Sequence, residues 1–340
     1  MKPLRISVMI QASCVPPKDT TGLTKKEMMP FQAEHDVLTT LRAMGHDVEP
    51  LVVGDEMGVV RDAIRLRKPQ IVFNLLEEFR GVDFYVPHVL GYFELIHQCY
   101  TGCNPRGLMF ATSKALQRKI LRYHRIPSPD FFVVPMGKKT RRPRRTNFPL
   151  IVKSATAHGS VGIAQASVVH DDTKLAERVE FIHTELSNDA IVEEYIDGRE
   201  LYVSLIGNQR IEAFPIWEMI LENLPEGAPR IATSRLKWDI DHQTRSGLIA
   251  GAAENLPEPD TRRIVHLCKR AYRALNQSGY ARLDLRLRED GRVYLIESNP
   301  NPQIAIGEEF AESAKSAGVS YERLLGRIVQ LGLRYHANLE

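Results

Sequence analysis

Arg282, Asp284, Glu297 and Asn299 fall within one short stretch, ARLDLRLREDGRVYLIESNPNP (residues 281–302). Two runs of alternating apolar and charged residues flank Asp290-Gly291, a pair that favours a two-residue hairpin loop. Side chains alternate faces along a strand. Leu283, Leu285 and Leu287 therefore share one face, and Arg282, Asp284 and Arg286 the other. With Asp290 and Gly291 as the loop, Glu289 faces Arg292, Asp284 faces Glu297 and Arg282 faces Asn299. Two carboxylates about 5 Å apart repel by roughly 3 kcal/mol at an effective dielectric near 20. A hard cation removes that repulsion. Two carboxylates and an amide oxygen, without Cys or His beside them, suit Mg²⁺ or Mn²⁺ better than zinc. A solvated surface hairpin, its acids neutralised by Arg282 and Arg286, would carry the same residues.

Two further stretches bear on the choice. In IVKSATAHGSVGI (residues 151–163) a lysine at a strand end, Lys153, precedes a loop of small residues that includes Gly159, Ser160 and Gly162. Small residues let backbone N–H groups approach phosphate oxygens, and the lysine adds a point charge. A flexible hairpin loop would look the same. VEEYIDGRELYV (residues 192–203) joins two strands across Asp197-Gly198 and carries Glu193, Glu194 and Glu200. A charged hairpin exposed to water accounts for it equally.

In this order the three stretches resemble the ATP-grasp superfamily, and within it D-alanine:D-alanine ligase. That family carries a lysine before a Gly/Ser loop, then E-x-x-x-x-G-x-E, R-x-D and E-x-N. Here these are Lys153 with residues 159–162, Glu193 with Gly198 and Glu200, Arg282 with Asp284, and Glu297 with Asn299. The resemblance covers nearly the whole chain. It implies that Lys153 contacts ATP phosphates, with Ser160 on the covering loop. Glu193 would accept from the adenine amino group, the Ile196 backbone would read the adenine edge, and Glu200 would hold the ribose hydroxyls. Lys237, in SRLKWD, would meet the γ-phosphate from a lid over residues 225–247. Asp284, Glu297 and Asn299 would bind Mg²⁺ or Mn²⁺, and Arg282 would face the reacting carbonyl. The family's phosphate lysine on the helix opening the second domain aligns with Arg118, beside Lys119.

The departures concern the substrates. The Gly-rich first loop, whose glutamate holds the substrate ammonium in the family, is replaced by SCVPPKDTTGLTKKEMMPFQAEHD. Gln303 stands where glycine is expected, and Glu308 where a serine helps hold the second substrate's carboxylate. The expected activity is an ATP-dependent carboxylate–amine ligase working through an acylphosphate on small molecules other than D-alanine. Another ATP-grasp phosphoryl or acyl transfer is one alternative. A nucleotide-binding regulatory protein without catalysis is the other, and Arg282 beside Asp284 argues against it, because a binder needs the metal but no oxyanion donor.

Strand–helix repeats position the first hundred residues. LRISVMI, VEPLVV and PQIVFNLL read as strands between helical FQAEHDVLTTLRAMGHD, EMGVVRDAIRLRK and VPHVLGYFELIHQ. This order implies a parallel sheet with crossover helices. No G-x-G-x-x-G follows the first strand. From residue 105 onward antiparallel strands mix with helices. The expected fold is therefore α/β and α+β: an ATP-grasp chain of three domains over 1–104, 105–194 and 195–340, with ATP between the central and C-terminal ones. The length of 340 residues accommodates this. A net charge of +3 is too small to argue for nucleic acid, and KKTRRPRR (residues 138–145) reads as a solvated loop. No apolar run approaches a membrane span. MKPLRISVMIQASC reads as a first strand rather than a signal peptide. Cysteines 14, 99, 103 and 268 lack zinc-site spacing and fit reduced thiols of a cytoplasmic protein. A homodimer is among the expected assemblies.

Overall fold

Ile6, Val8, Met9 and Ile10 have no exposed surface, as the central strand of a sheet covered on both faces requires. They belong to β1 (Arg5–Gln11), which pairs in parallel with β2 (Asp47–Val53) and β3 (Ile71–Asn74) in the order β2-β1-β3. Helices Gln32–Ala43, Met57–Arg67 and Val86–Leu95 occupy the expected crossovers. This computed structural model describes residues 2–157, 159–225 and 227–337, with the backbone alone at 237, 238, 240 and 241.

The second unit opens with two helices. Asn104 caps Pro105–Thr112 by accepting from Gly107 N–H, and Pro105 sits where its missing N–H costs nothing. Ser113 caps Lys114–Tyr123 by accepting from the Leu116 N–H. A four-stranded antiparallel sheet follows in the order β4-β7-β5-β6, from β4 (Phe131–Val134), β5 (Leu150–Ser154), β6 (Val168–Val169) and β7 (Ala190–Glu194). The basic run joins β4 to β5 and is largely exposed. Its Arg142 is tied down, paired with Asp172 at 2.8 Å and lying over the Phe148 ring.

The third sheet has the order β11-β10-β8-β12-β13, with β9 beside β8. Its strands are β8 (Arg199–Ile206), β9 (Glu212–Ala213), β10 (Trp217–Leu221), β11 (Leu248–Ala252), β12 (Tyr280–Leu287) and β13 (Val293–Pro300). Leu283, Leu285 and Leu295 are fully buried and pack with Cys268 and Tyr272 of helix Glu258–Ala274. The largest core joins the two ends of the chain: Ile6, Val8 and Phe73 cluster with Phe310, Leu325 and Ile328, the last two from helix Tyr321–Leu333. No described helix is long and apolar enough to cross a membrane.

Candidate active site

Strands β12 and β13 pair as expected at the chemical residues: Asp284 faces Glu297, and Arg282 faces Asn299. The route differs. The Arg288 N–H donates to Arg292 O at 2.9 Å and the Gly291 N–H to Arg288 O at 2.9 Å, so the loop has three residues, not two. Gly291, at φ 79°, supplies the left-handed conformation that such a loop needs. Near the turn Leu287 therefore faces Val293, and Leu285 faces Leu295. Ile296 is then the extra residue of a β-bulge, and the register shifts back by one before Asp284. Two one-residue offsets cancel.

The hairpin walls a cleft of about 760 Å³. Arg282 beside it is clamped: its Nε donates to Asp284 Oδ1 at 2.8 Å, Nη2 to Oδ2 at 3.1 Å, and Nη1 to Glu309 Oε2 at 3.3 Å. The guanidinium also lies over Tyr202, 4.7 Å from the ring centroid. Burial disfavours its charge, but the two carboxylates outweigh that and raise its pKa well above the usual value. Asn299 Nδ2 donates to Asp284 Oδ2 at 2.9 Å. Asp284 and Glu297 offer hard oxygen donors, the set that suits Mg²⁺ or Mn²⁺. No group of three His, Cys, Asp or Glu fit to hold a metal occurs among the described residues. A cation here would draw its remaining ligands from phosphate or water.

Lys153, Ser160 and Glu200 line the same cleft. Glu200 accepts from Arg286 Nη2 and, at 2.9 Å, from the Tyr202 hydroxyl. Ile196 is buried in the connection from β7 to β8. Beside it Gly198, at φ 141°, packs against the Leu287 carbonyl where any Cβ would clash.

Other expected residues lie in different settings. Arg118 is 1% exposed and does not line the cleft. Its Nε donates to Glu193 Oε1 at 2.7 Å and its Nη2 to the Ile296 carbonyl. Lys114, one helical turn earlier, reaches the cleft instead, with Nζ 3.1 Å from Glu297 Oε1. Glu193 is fully buried and does not line the cleft. Its second oxygen accepts from Lys153 Nζ at 2.8 Å. Burial alone would push its pKa up, but Arg118 and Lys153 hold it down at about 2. Segment 225–247, expected as a lid, has regular structure of its own. It contains the short helices Ser234–Trp238 and Ile240–Arg245, capped by Thr233 and Asp239. Ile231 and Ala232 border the cleft, whereas the Lys237 side chain lies outside the described residues. Glu308 is exposed at the start of helix Glu309–Ser316, and the acid that meets Arg282 is Glu309. Gln303 borders a separate pocket of about 340 Å³ with Glu34, Asn74 and Glu77.

Residues 120–330 match the family model described as D-ala D-ala ligase C-terminus. The chain belongs to the D-Ala-D-Ala ligase family. It is accordingly an ATP-dependent ligase of the C–N bond-forming class. It is 25% identical over 315 residues to a D-alanine–D-alanine ligase of Bacillus anthracis, covering 92% of this chain and 95% of that protein. Another, from Pelotomaculum thermopropionicum, is 24% identical over 298 residues, 83% of this chain and 86% of its own. The uncharacterized protein y4sG of Sinorhizobium fredii is 29% identical over 310 residues, 89% and 88% of the two chains. The crystal structure of the Bacillus anthracis D-Ala-D-Ala ligase complexed with ATP superposes with a TM-score of 0.74 at 22% identity, covering 97% of this chain and 98% of that one. The Coxiella burnetii enzyme gives 0.70 at 18%, covering 98% and 96%. These likenesses establish the ATP-grasp fold of the family for the whole chain.

Proposed function

We propose that this ligase joins a small carboxylate to an amine other than D-alanine, through an acylphosphate. The carboxylate oxygen takes the γ-phosphoryl group as its bond to ADP breaks. The amine nitrogen then bonds to the acyl carbon, phosphate leaves, and the nitrogen loses a proton. The observation that carries this reading is the Arg282 guanidinium, fixed by Asp284 and Glu309 beside a cleft that Asp284 and Glu297 line. Such a donor stabilises the oxyanion of the tetrahedral step, and its loss commonly costs about 10²- to 10³-fold in rate. Lys114, Lys153 and Ser160 would bind the phosphates, Glu200 the ribose, and the Ile196 backbone the adenine. Asp284, Glu297 and the Asn299 oxygen would hold Mg²⁺ or Mn²⁺, which neutralises charge on the phosphoryl group when bound. On the same reading the chain divides at about 104 and 194, and the 225–247 segment, bearing Lys237, closes over the nucleotide.

The pocket holding Glu34, Asn74, Glu77 and Gln303 lies at the end of β13, just beyond Asn299. Its described lining carries acids and amides and no cation. An amine-bearing end suits it better than a carboxylate. D-alanine's own ammonium would suit it equally, so the preference for another amine rests on Gln303 and Glu308 in place of the family's glycine and serine. The test is phosphate release from ATP and Mg²⁺ with paired amino acids and amines. Release that needs both a carboxylate and an amine supports ligation. Robust dipeptide formation from millimolar D-alanine alone would refute the substrate assignment and leave the ATP site standing.

A further inference from the structure

Arg118 is among the largest fully buried side chains in the molecule, and its guanidinium faces two different elements. On one side it meets Glu193 of β7, whose other oxygen holds the Lys153 ammonium. On the other it donates to the carbonyl of Ile296, the extra residue of the β13 bulge. β13 is the edge strand of its sheet, so an outward carbonyl there needs a partner from elsewhere. The neighbouring Gln117 serves Ser298 in the same way, accepting from its N–H at 3.2 Å.

The bulge decides where Glu297 points. With a continuous ladder beyond Leu285 and Leu295, Asp284 would face Ile296. Glu297 would then fall opposite Leu283, on the face that carries the buried Leu283 and Leu285. A slip of one residue moves a side chain to the other face of a strand. The extra residue at 296 is therefore what brings Glu297 round to Asp284.

We propose that Arg118 is a positioning residue for the metal and phosphate groups. It captures the bulged Ile296 carbonyl, and so keeps Glu297 on the cleft face. Through Glu193 it also fixes the Lys153 ammonium at the cleft. This assignment rests on the reading of the cleft as a metal–nucleotide site. A guanidinium fork spans two acceptors in fixed directions, whereas a lysine ammonium is a single point on a flexible stem. Arg118→Lys should keep the charge beside Glu193 and release the bulge carbonyl.

The measurement is Mn²⁺ binding by electron paramagnetic resonance with adenylyl imidodiphosphate, alongside affinity for the same nucleotide in EDTA. Arg118→Lys is expected to bind the metal-free nucleotide within about threefold of wild type and to weaken Mn²⁺ at least tenfold. Glu193→Gln, which leaves Arg118 on the Ile296 carbonyl, should show the converse: weakened nucleotide binding and near-normal Mn²⁺ affinity once nucleotide is saturating. Wild-type Mn²⁺ affinity in Arg118→Lys overturns the proposal. So does an equal loss of metal and nucleotide in both variants, the pattern of a merely structural residue. If Arg118→Lys does not fold, Arg118→Gln, which also removes the fork to the Ile296 carbonyl, takes its place with the same expected loss of Mn²⁺. Failure of wild-type protein to bind Mn²⁺ and the nucleotide overturns the reading of the cleft itself.

Discussion

A lysine and an arginine one helical turn apart show how far residue types alone lead. Lys114 and Arg118 share a helix face, because residues four apart stack on one side, and both carry the charge a phosphate needs. Tertiary burial separates them: Arg118 is enclosed by Glu193 and the Ile296 carbonyl, and Lys114 opens on the cleft. Replacing Lys114 with Met is expected to raise KM for ATP about tenfold or more, measured by initial-rate kinetics. An unchanged KM would remove it from the phosphate site. Glu34 gives a second test. The residue is 8% exposed, and burial, with Glu77 and Asp36 nearby, raises its pKa from 4.5 to about 7. Between those two values the folded chain keeps a proton that the unfolded chain has lost. Stability therefore falls as pH rises through that window, by at most about 3 kcal/mol, and levels off above it. Glu34→Gln should flatten this slope in urea midpoints measured from pH 5 to 8. An undiminished slope would place its origin elsewhere. The facing of Asp284 and Glu297 was legible only because the three-residue loop and the bulge at Ile296 offset each other. Glu193 was not, since its exposure depends on a helix more than seventy residues away in the chain.

At the scale of elements, the hairpin and segment 225–247 fared differently. The alternating pattern of residues 281–302 specifies two strands and their faces. It does not reveal a bulge, because an extra residue changes the pairing without changing the composition. The helices of segment 225–247 are only five and six residues long, too short for apolar periodicity to emerge. The signal it did carry is capping: Thr233 accepts from Leu236 N–H at 3.1 Å, and Asp239 from His242 N–H at 2.9 Å. Loss of such a cap costs about 1 kcal/mol. Asp239→Ala should therefore speed proteolysis within 225–247. Adding ATP, Mg²⁺ and both substrates should slow cleavage there in the wild type, as expected of a closing lid. Protection by neither addition would argue that the segment stays put during the reaction.

Across the whole molecule, strand–helix alternation announced the parallel sheet, and the three motif stretches announced the family. The junction between chain ends was not announced. Helix Tyr321–Leu333 was expected as a closing element, but nothing in its periodicity says that Leu325 and Ile328 complete the core beneath Ile6, Val8 and Phe73. A pair of substitutions, Leu325→Ala and Ile328→Ala, should cost several kcal/mol, since each buried aliphatic truncation costs about 2–5 kcal/mol. The loss should appear as unfolding of the N-terminal sheet as well, read from slowed-exchange amides of β1 and β3. Retained protection there would mean that the sheet stands without its C-terminal cover. That shared core also sets a schedule for biosynthesis. The first sheet, ending at Asn74, leaves the ribosome about 250 residues before the helix that seals it, roughly 10–50 s at ordinary elongation rates. For that interval the nascent chain exposes one face of a β-strand layer to its surroundings, so the slowest hazard in making this enzyme falls before its last helix is translated.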